Sequence, residues 1–178
     1  MSPIDAQIIH TTRLDLMPLR AEHAEQMATV LSDPDLYRFI GGAPGTPSAL
    51  RARYERLVAG SPDPAVSWCN WVIDLHDDPR ADLCLVGTVQ ATITAGHAVR
   101  TAEIAWVVGT PWQRRGIATE AAQGLIAWLA RLPVHTVIAH IHPDHRASAA
   151  VATAAGLTPT GHLHEGEVRW ELTMRRSR

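Results

Sequence analysis

The stretch WVVGTPWQRRGIATEAAQGLIAW, residues 106–128, changes its hydrophobic period in mid-course, and the change falls on a glycine that follows two arginines. Upstream of the break, Glu103, Ala105 and Val107 alternate with Ile104, Trp106 and Val108, the period of two that marks a strand. Downstream, Ile117, Ala121, Leu125, Trp128, Leu129 and Leu132 recur at helical spacing. Gly109-Thr110-Pro111 turns the chain between them, and Gln113-Arg114-Arg115-Gly116 enters the helix with no Ser, Thr, Asp or Asn placed to cap it. The first turn of a helix leaves backbone N–H groups unpaired and carries about half a positive charge. Two arginines and a glycine that admits a ligand to the backbone suit an external phosphate there. Water over an ordinary exposed helix end satisfies the same spacing.

A chain of 178 residues with 46% hydrophobic content reads as a single domain, 1–178, able to bury a core. Its net charge of -2 provides no broad grip on nucleic acid or on an anionic membrane, so a small or locally charged partner is expected. No apolar run approaches the ~20 residues that span a bilayer, and MSPIDAQIIH lacks the basic and apolar regions of a signal peptide. A cytoplasmic protein is expected. Cys69 and Cys84 form no C-x-x-C pair and read as reduced cysteines. All sixteen basic residues are arginine, a bias of composition without chemical content.

Outward from the opening stretch, residues 11–20 alternate as a first strand, and Ala21 to Leu31 forms a helix stopped by Ser32-Asp33-Pro34. Gly41 to Gly45 is a loop, and Thr46-Pro47 caps and starts a helix that ends at Gly60. The segment with Tyr37, Arg38 and Phe39 reads as a solvated connector, with a flap over a substrate as the alternative. Residues 67–75 and 83–94 form a hairpin around the polar turn 76–82, and 99–108 follows the turn 95–97. A strand at 134–141, a helix at 145–155 capped by Asp144 and ended by Gly156, and a hairpin 157–164/167–174 around Glu165-Gly166 complete the chain. Strands 99–108 and 134–141 flank a crossover helix and should be parallel, whereas the hairpins are antiparallel. The fold class is α/β with a mixed, mostly antiparallel sheet of six to seven strands and helices on both faces. The alternating last hairpin offers a surface for a homodimer.

Glu103-Ile-Ala-Trp, the run Gln113-Arg-Arg-Gly116-Ile-Ala118-Thr-Glu-Ala, and Asp144-His-Arg-Ala-Ser148 ending at Ala155-Gly156-Leu157 together resemble the GNAT superfamily of N-acetyltransferases, in its RimJ/RimL-type branch. The resemblance runs from Thr11 to about Thr173. It implies acetyl-CoA as cosubstrate and a primary amine as acceptor: a protein N-terminus, an amino acid or a small amine. It also implies a sheet splayed at its central parallel strands. Gln113, Gly116, Ala118 and Thr119, with the amides of Arg114, Arg115 and Ile117, match the turn that binds the coenzyme pyrophosphate. Trp106, Val107 and Val108 match the splayed strand whose backbone holds the pantetheine arm. An amide there would polarise the thioester carbonyl, a donor worth ~3 kcal/mol in the transition state.

Attack of an amine on a thioester needs a base for the ammonium proton and a donor for the departing thiolate. Glu103 is the candidate base, since partial burial on an apolar strand would raise its pKa; pairing with an arginine such as Arg100 is the structural alternative. Ser148 matches the family's sulfur-side donor. His145 stands where the family often has asparagine, and either bonds the pantetheine or titrates near neutral pH. Histidines 135, 140, 142 and 145 lack a completing Cys, Asp or Glu set, so no metal is expected. A catalytically silent acyl-CoA-binding or sensing module is the alternative function.

Overall fold

The computed structural model describes residues 3–76, 83–96 and 99–174. The turn residues expected at 77–82, and His97, lie outside them. Eight strands form one sheet: β1 (Ile9–His10), β2 (Leu14–Pro18), β3 (Val66–Leu75), β4 (Leu85–Ala95), β5 (Arg100–Val108), β6 (Val134–Ile141), β7 (Thr158–His164) and β8 (Glu167–Thr173). Their order is β1-β2-β3-β4-β5-β6-β8-β7, with β5 and β6 the parallel pair and the other neighbours antiparallel. The fold is thus mixed α/β as expected. Its eighth strand is the two-residue β1, too short to show a period in the sequence.

Helices α1 (Ala24–Val30), α2 (Tyr37–Ile40) and α3 (Pro47–Ala59) precede β3, while α4 (Ile117–Leu129) and α5 (Arg146–Ala154) flank β6. Ala24, Met27 and Val30 of α1 and Tyr54 of α3 pack with Val72 and Leu85 on one face of the sheet. The other face carries the larger core, in which Ile117, Ala121, Leu125, Trp128 and Leu129 of α4 meet Leu16, Trp71, Ile73, Ile104 and Val137. Trp71 and Trp128 touch edge to face with centroids 5.1 Å apart, the arrangement their ring quadrupoles favour. A fully buried side chain of this size contributes roughly 1.5–3 kcal/mol.

Register sets up the site. Parallel pairing between β5 and β6 runs from Arg100–Val134 to Glu103–Ile138 and stops there. Beyond it, Ile104 to Val108 remain paired with β4, and Ala139 to Ile141 with β8. The two strands therefore part after Glu103, which is the splay expected at the centre of the sheet.

Two expected boundaries move. The segment before α1 opens as a 3₁₀ turn over Ala21–His23, so the helix proper begins at Ala24. Asp144 does not cap α5: His145 is the N-cap, and its side chain accepts from the Ser148 backbone N–H. An aspartate one residue too early leaves its carboxylate outside the first turn, and the imidazole takes the role.

Candidate active site

The turn into α4 has the geometry of an anion cradle. Arg114 and Gly116 both adopt positive φ, 62° and 74°, so the chain enters the left-handed region twice within three residues. No side chain caps α4 at Gly116, so the first-turn amides face outward beside the positive end of the helix dipole. A network anchors this turn from behind. Thr11 Oγ1, the Arg13 backbone N–H and Arg13 Nε all donate to Glu120 at 2.7 Å, and Arg13 Nη1 donates to the Arg115 carbonyl at 2.9 Å. Burial pulls the Glu120 carboxyl upward, but these hydrogen bonds outweigh it and hold the group below the usual carboxylate range.

A cavity of about 470 Å³ opens in front of the turn. Gln113, Arg114, Gly116, Ile117, Ala118 and Thr119 line its end at the turn into α4, Trp106, Val107 and Val108 its strand side, and His145 and Ser148 its far wall. Of the residues named from sequence for the coenzyme, Arg115 is not on this wall. In an antiparallel ladder, residues alternate between bonding the neighbour and facing away. Gly109 N–H bonds Val86 O, so Val107 and Ala105 bond β4, while Trp106 and Val108 turn their backbone groups toward the splay. Gln113 Nε2 donates to the Val108 carbonyl at 3.0 Å and ties the strand end to the turn.

The segment read as a connector is instead a wall of this cavity. Asp33, Asp35, Leu36, Phe39 and Ile40 line it, Thr110 Oγ1 donates to Asp33 Oδ2 at 2.6 Å, and Phe39 stacks on His145 with centroids 4.5 Å apart. The run Leu36-Tyr37-Arg38-Phe39-Ile40 is too short and too evenly apolar to show a period, so the sequence did not show which side it covers.

His145 and Ser148 form a dyad. Nδ1 of His145 accepts the Ser148 N–H at 3.3 Å, so that nitrogen bears no proton; Nε2 then carries one and faces Ser148 Oγ at 3.2 Å. Burial pushes the imidazole below its ordinary range; a backbone hydrogen bond opposes this and His142 adds to it. The serine hydroxyl, accepting from His145, keeps its own hydrogen to give away.

Glu103 lies at the point where β5 and β6 part, on the face shared with Ala105 and Val107. Its partner is His140, whose Nδ1 lies 2.8 Å from Glu103 Oε1, and not Arg100. The glutamate side chain is 50% exposed and that of His140 14%, so the burial expected at this position falls on the histidine. His140, unlike Glu103, lines a small cleft between the parted strands, together with Phe39, Trp106, His145 and Ser148.

A second cavity, of about 270 Å³, opens on the side of α1 to α3. Val107 and Ile40 line both large cavities and separate them. Trp71 reaches this second wall, whereas Trp106 and Trp112 line the first. Elsewhere among the described residues, Asp15, Asp74 and His76 bring possible ligating atoms within 4.8 Å of one another. They lie on none of these walls and are already engaged: His76 Nε2 with Asp15 at 2.9 Å, and Asp74 with the Cys84 N–H at 2.8 Å. No helix among the described residues is long and apolar enough to cross a membrane.

Solved structures share this fold. RimJ of Mycobacterium smegmatis in complex with CoA-disulfide superposes with a TM-score of 0.77 at 20% identity, covering 97% of this chain and 90% of that one. The spermidine N-acetyltransferase of Vibrio cholerae, in complex with CoA and spermine, has a TM-score of 0.73 at 16% identity and covers 92% and 97%. The microcin C7 self-immunity acetyltransferase MccE, in complex with acetyl-CoA and AMP, has a TM-score of 0.74 at 17% identity and covers 92% and 93%. No curated protein matches the chain in sequence. Residues 13–158, which carry β2 to β6 and every residue lining the two large cavities, match the acetyltransferase (GNAT) domain, and the chain belongs to that family.

Proposed function

We propose that this chain is an acetyl-CoA-dependent N-acetyltransferase of the RimJ/RimL type, acting as one domain by direct attack of a primary amine on the thioester in a ternary complex. The observation that carries the reading is the meeting of two features in one cavity: an uncapped α4 start and a strand edge freed by the splay. The helix start suits a pyrophosphate, and the free edge suits an amide-bearing arm.

The outward amides at Ile117, Ala118 and Thr119, with Arg114 beside them, hold the diphosphate. Trp106 and Val108 offer their backbone groups to the pantetheine, and the thioester comes to rest near Val107, where the two cavities meet. The amine enters from the α1–α3 side. Its ammonium proton passes to the Glu103–His140 pair, directly or through water; the free amine then forms the C–N bond as the C–S bond breaks. Ser148, whose oxygen accepts from His145, donates a hydrogen bond to the departing thiolate, which takes up the proton that the nitrogen sheds on becoming an amide. The products are the acetylamide and free coenzyme A. Similarity to RimJ in complex with CoA-disulfide, and to acetyltransferases in complex with CoA and spermine or with acetyl-CoA and AMP, supports the fold and the cosubstrate in this reading.

Calorimetry with acetyl-CoA, followed by mass spectrometry of amines incubated with both, tests it. Tight binding with one acetyl group gained by an amine is expected. Tight binding without transfer to any amine would make the chain an acyl-CoA-binding or sensing module, and equal affinity for ATP would remove the coenzyme from the reading.

A further inference from the structure

The cavity on the α1–α3 side has an unusual charge balance for a pocket that receives an ammonium. Its walls are largely apolar, with Leu19, Leu31, Leu50 and Leu57 from the helical side. Among the described residues, Arg53 is the one charged side chain lining it, and no carboxylate does. Arg53 is exposed and, among the described residues, has no ion pair, whereas its neighbour Arg51 is paired with Glu55 at 3.3 Å. Below it, the sheet presents Asn70, Thr88 and Gln90. Asn70 sits opposite Gln90, and none of these three side chains has a hydrogen-bond partner among the described residues. Tyr54, only 4% exposed on the same wall, has a hydroxyl without a partner.

These groups need a ligand of defined character. The buried Tyr54 hydroxyl asks for a hydrogen-bond partner, and half-buried Asn70 and Thr88 with exposed Gln90 offer donors and acceptors beside it. An unpaired guanidinium at the exposed rim asks for an anion, which it binds in fork geometry as carboxylate or phosphate. A polycation meets no carboxylate here and is repelled by Arg53. Val107 marks the inner end, where the amine must arrive, so the anion sits toward the outer end of the same molecule.

We infer that the acceptor of this enzyme is an amine carrying an anionic group, a carboxylate or phosphate, read by Arg53, and that polyamines are excluded. The inference rests on the acetyltransferase reading for the amine end only; the charge preference belongs to the cavity itself.

The test uses matched acceptors with the coenzyme-loaded protein: leucine against leucinamide, alanyl-leucine against its C-terminal amide, phosphoethanolamine against ethanolamine, and spermidine. Affinity is read by calorimetry with coenzyme A bound, and turnover by thiol release from acetyl-CoA. In at least one pair the anion should bind about 10–100-fold more tightly, the span of one charge-assisted contact. The pair that shows the difference tells carboxylate from phosphate. In Arg53→Gln the ratio within that pair should collapse toward one through KM, with Arg53→Lys restoring part of it and thermal stability unmoved, since Arg53 is exposed and unpaired. Neutral acceptors bound as tightly as their anions, spermidine bound better than either, or a ratio surviving in Arg53→Gln would each overturn the inference. Preferential binding of the anions with no acetyl transferred would leave it standing and refute the transferase reading instead.

Discussion

Replacing Gly87 by alanine should damage coenzyme binding from a position that touches no part of the cavity. Gly87 sits on β4 opposite Val108. A Cβ built there would lie 2.2 Å from the Val107 carbonyl oxygen, 3.0 Å from Val108 Cα and 3.2 Å from Val107 C. All three are backbone atoms of the strand whose free edge faces the cavity, so no side chain can swing aside. Reaching the 3.4 Å of ordinary contact requires β5 to move by about 1.2 Å at Val107. Overpacking of this kind costs about 1–3 kcal/mol of stability, or roughly 2–10 °C in Tm for a chain of this size. A displacement of about 1 Å at a reacting centre costs on the order of 10²-fold in rate. Gly161→Ala is the control, because nothing lies within 4 Å of its Cβ position and its φ is not in the left-handed region. Calorimetry with coenzyme A, thiol-release kinetics and a melting curve on both variants measure the effect. If Gly87→Ala bound and turned over like Gly161→Ala, the assignment of the β5 edge to the coenzyme would be refuted.

Glu103→Gln and His140→Gln should each lower kcat by about 10²–10⁴-fold with acetyl-CoA affinity retained. A double variant no worse than either single one would show that the two act as a unit, whereas additive losses in a kcat–pH series would separate them. Ser148→Ala should lower kcat by about 10²-fold through loss of the hydrogen bond to the departing thiolate. His145→Ala should share most of that loss, so a double-mutant cycle should be strongly non-additive; it should also cost about 1 kcal/mol of stability by uncapping α5. Stability should fall as pH drops from about 6.5. Burial holds the folded His145 and His23 below their ordinary values, so the unfolded chain takes up protons first and is stabilised relative to the folded one as acid is added. The contribution is complete above the unfolded value and is lost as pH falls through the lowered folded values. Denaturant melts between pH 5 and 8 should show this slope, reduced in His145→Asn; an unchanged slope would contradict it.

Much of the site was legible because its parts are local. A period change, a glycine and a missing cap sit within 23 consecutive residues, and a helix start is a short-range structure whose orphan amides follow from backbone geometry alone. Ser148 and His145 were also reachable, being three residues apart on one helix. The role of His145 was not: imidazole caps are uncommon, and Asp144 is the better capping residue by type. Glu103 was named from its place on an apolar strand; its side chain is half exposed, and the more buried His140 that it pairs with lies 37 positions further along. No local pattern joins Glu103 to His140; the register of a parallel pair does.

Sequence alone determined the order of elements, the mixed sheet and the anion-seeking turn, because hydrophobic period, turn residues and capping act over a few residues. The tertiary structure decided where β5 and β6 part, that Phe39 lines the cavity at the turn into α4, and that Arg53, without an ion pair among the described residues, lines the second cavity together with Asn70 and Gln90. Those facts depend on which distant segments share a wall, and burial and pairing at that range are settled only when the whole core packs.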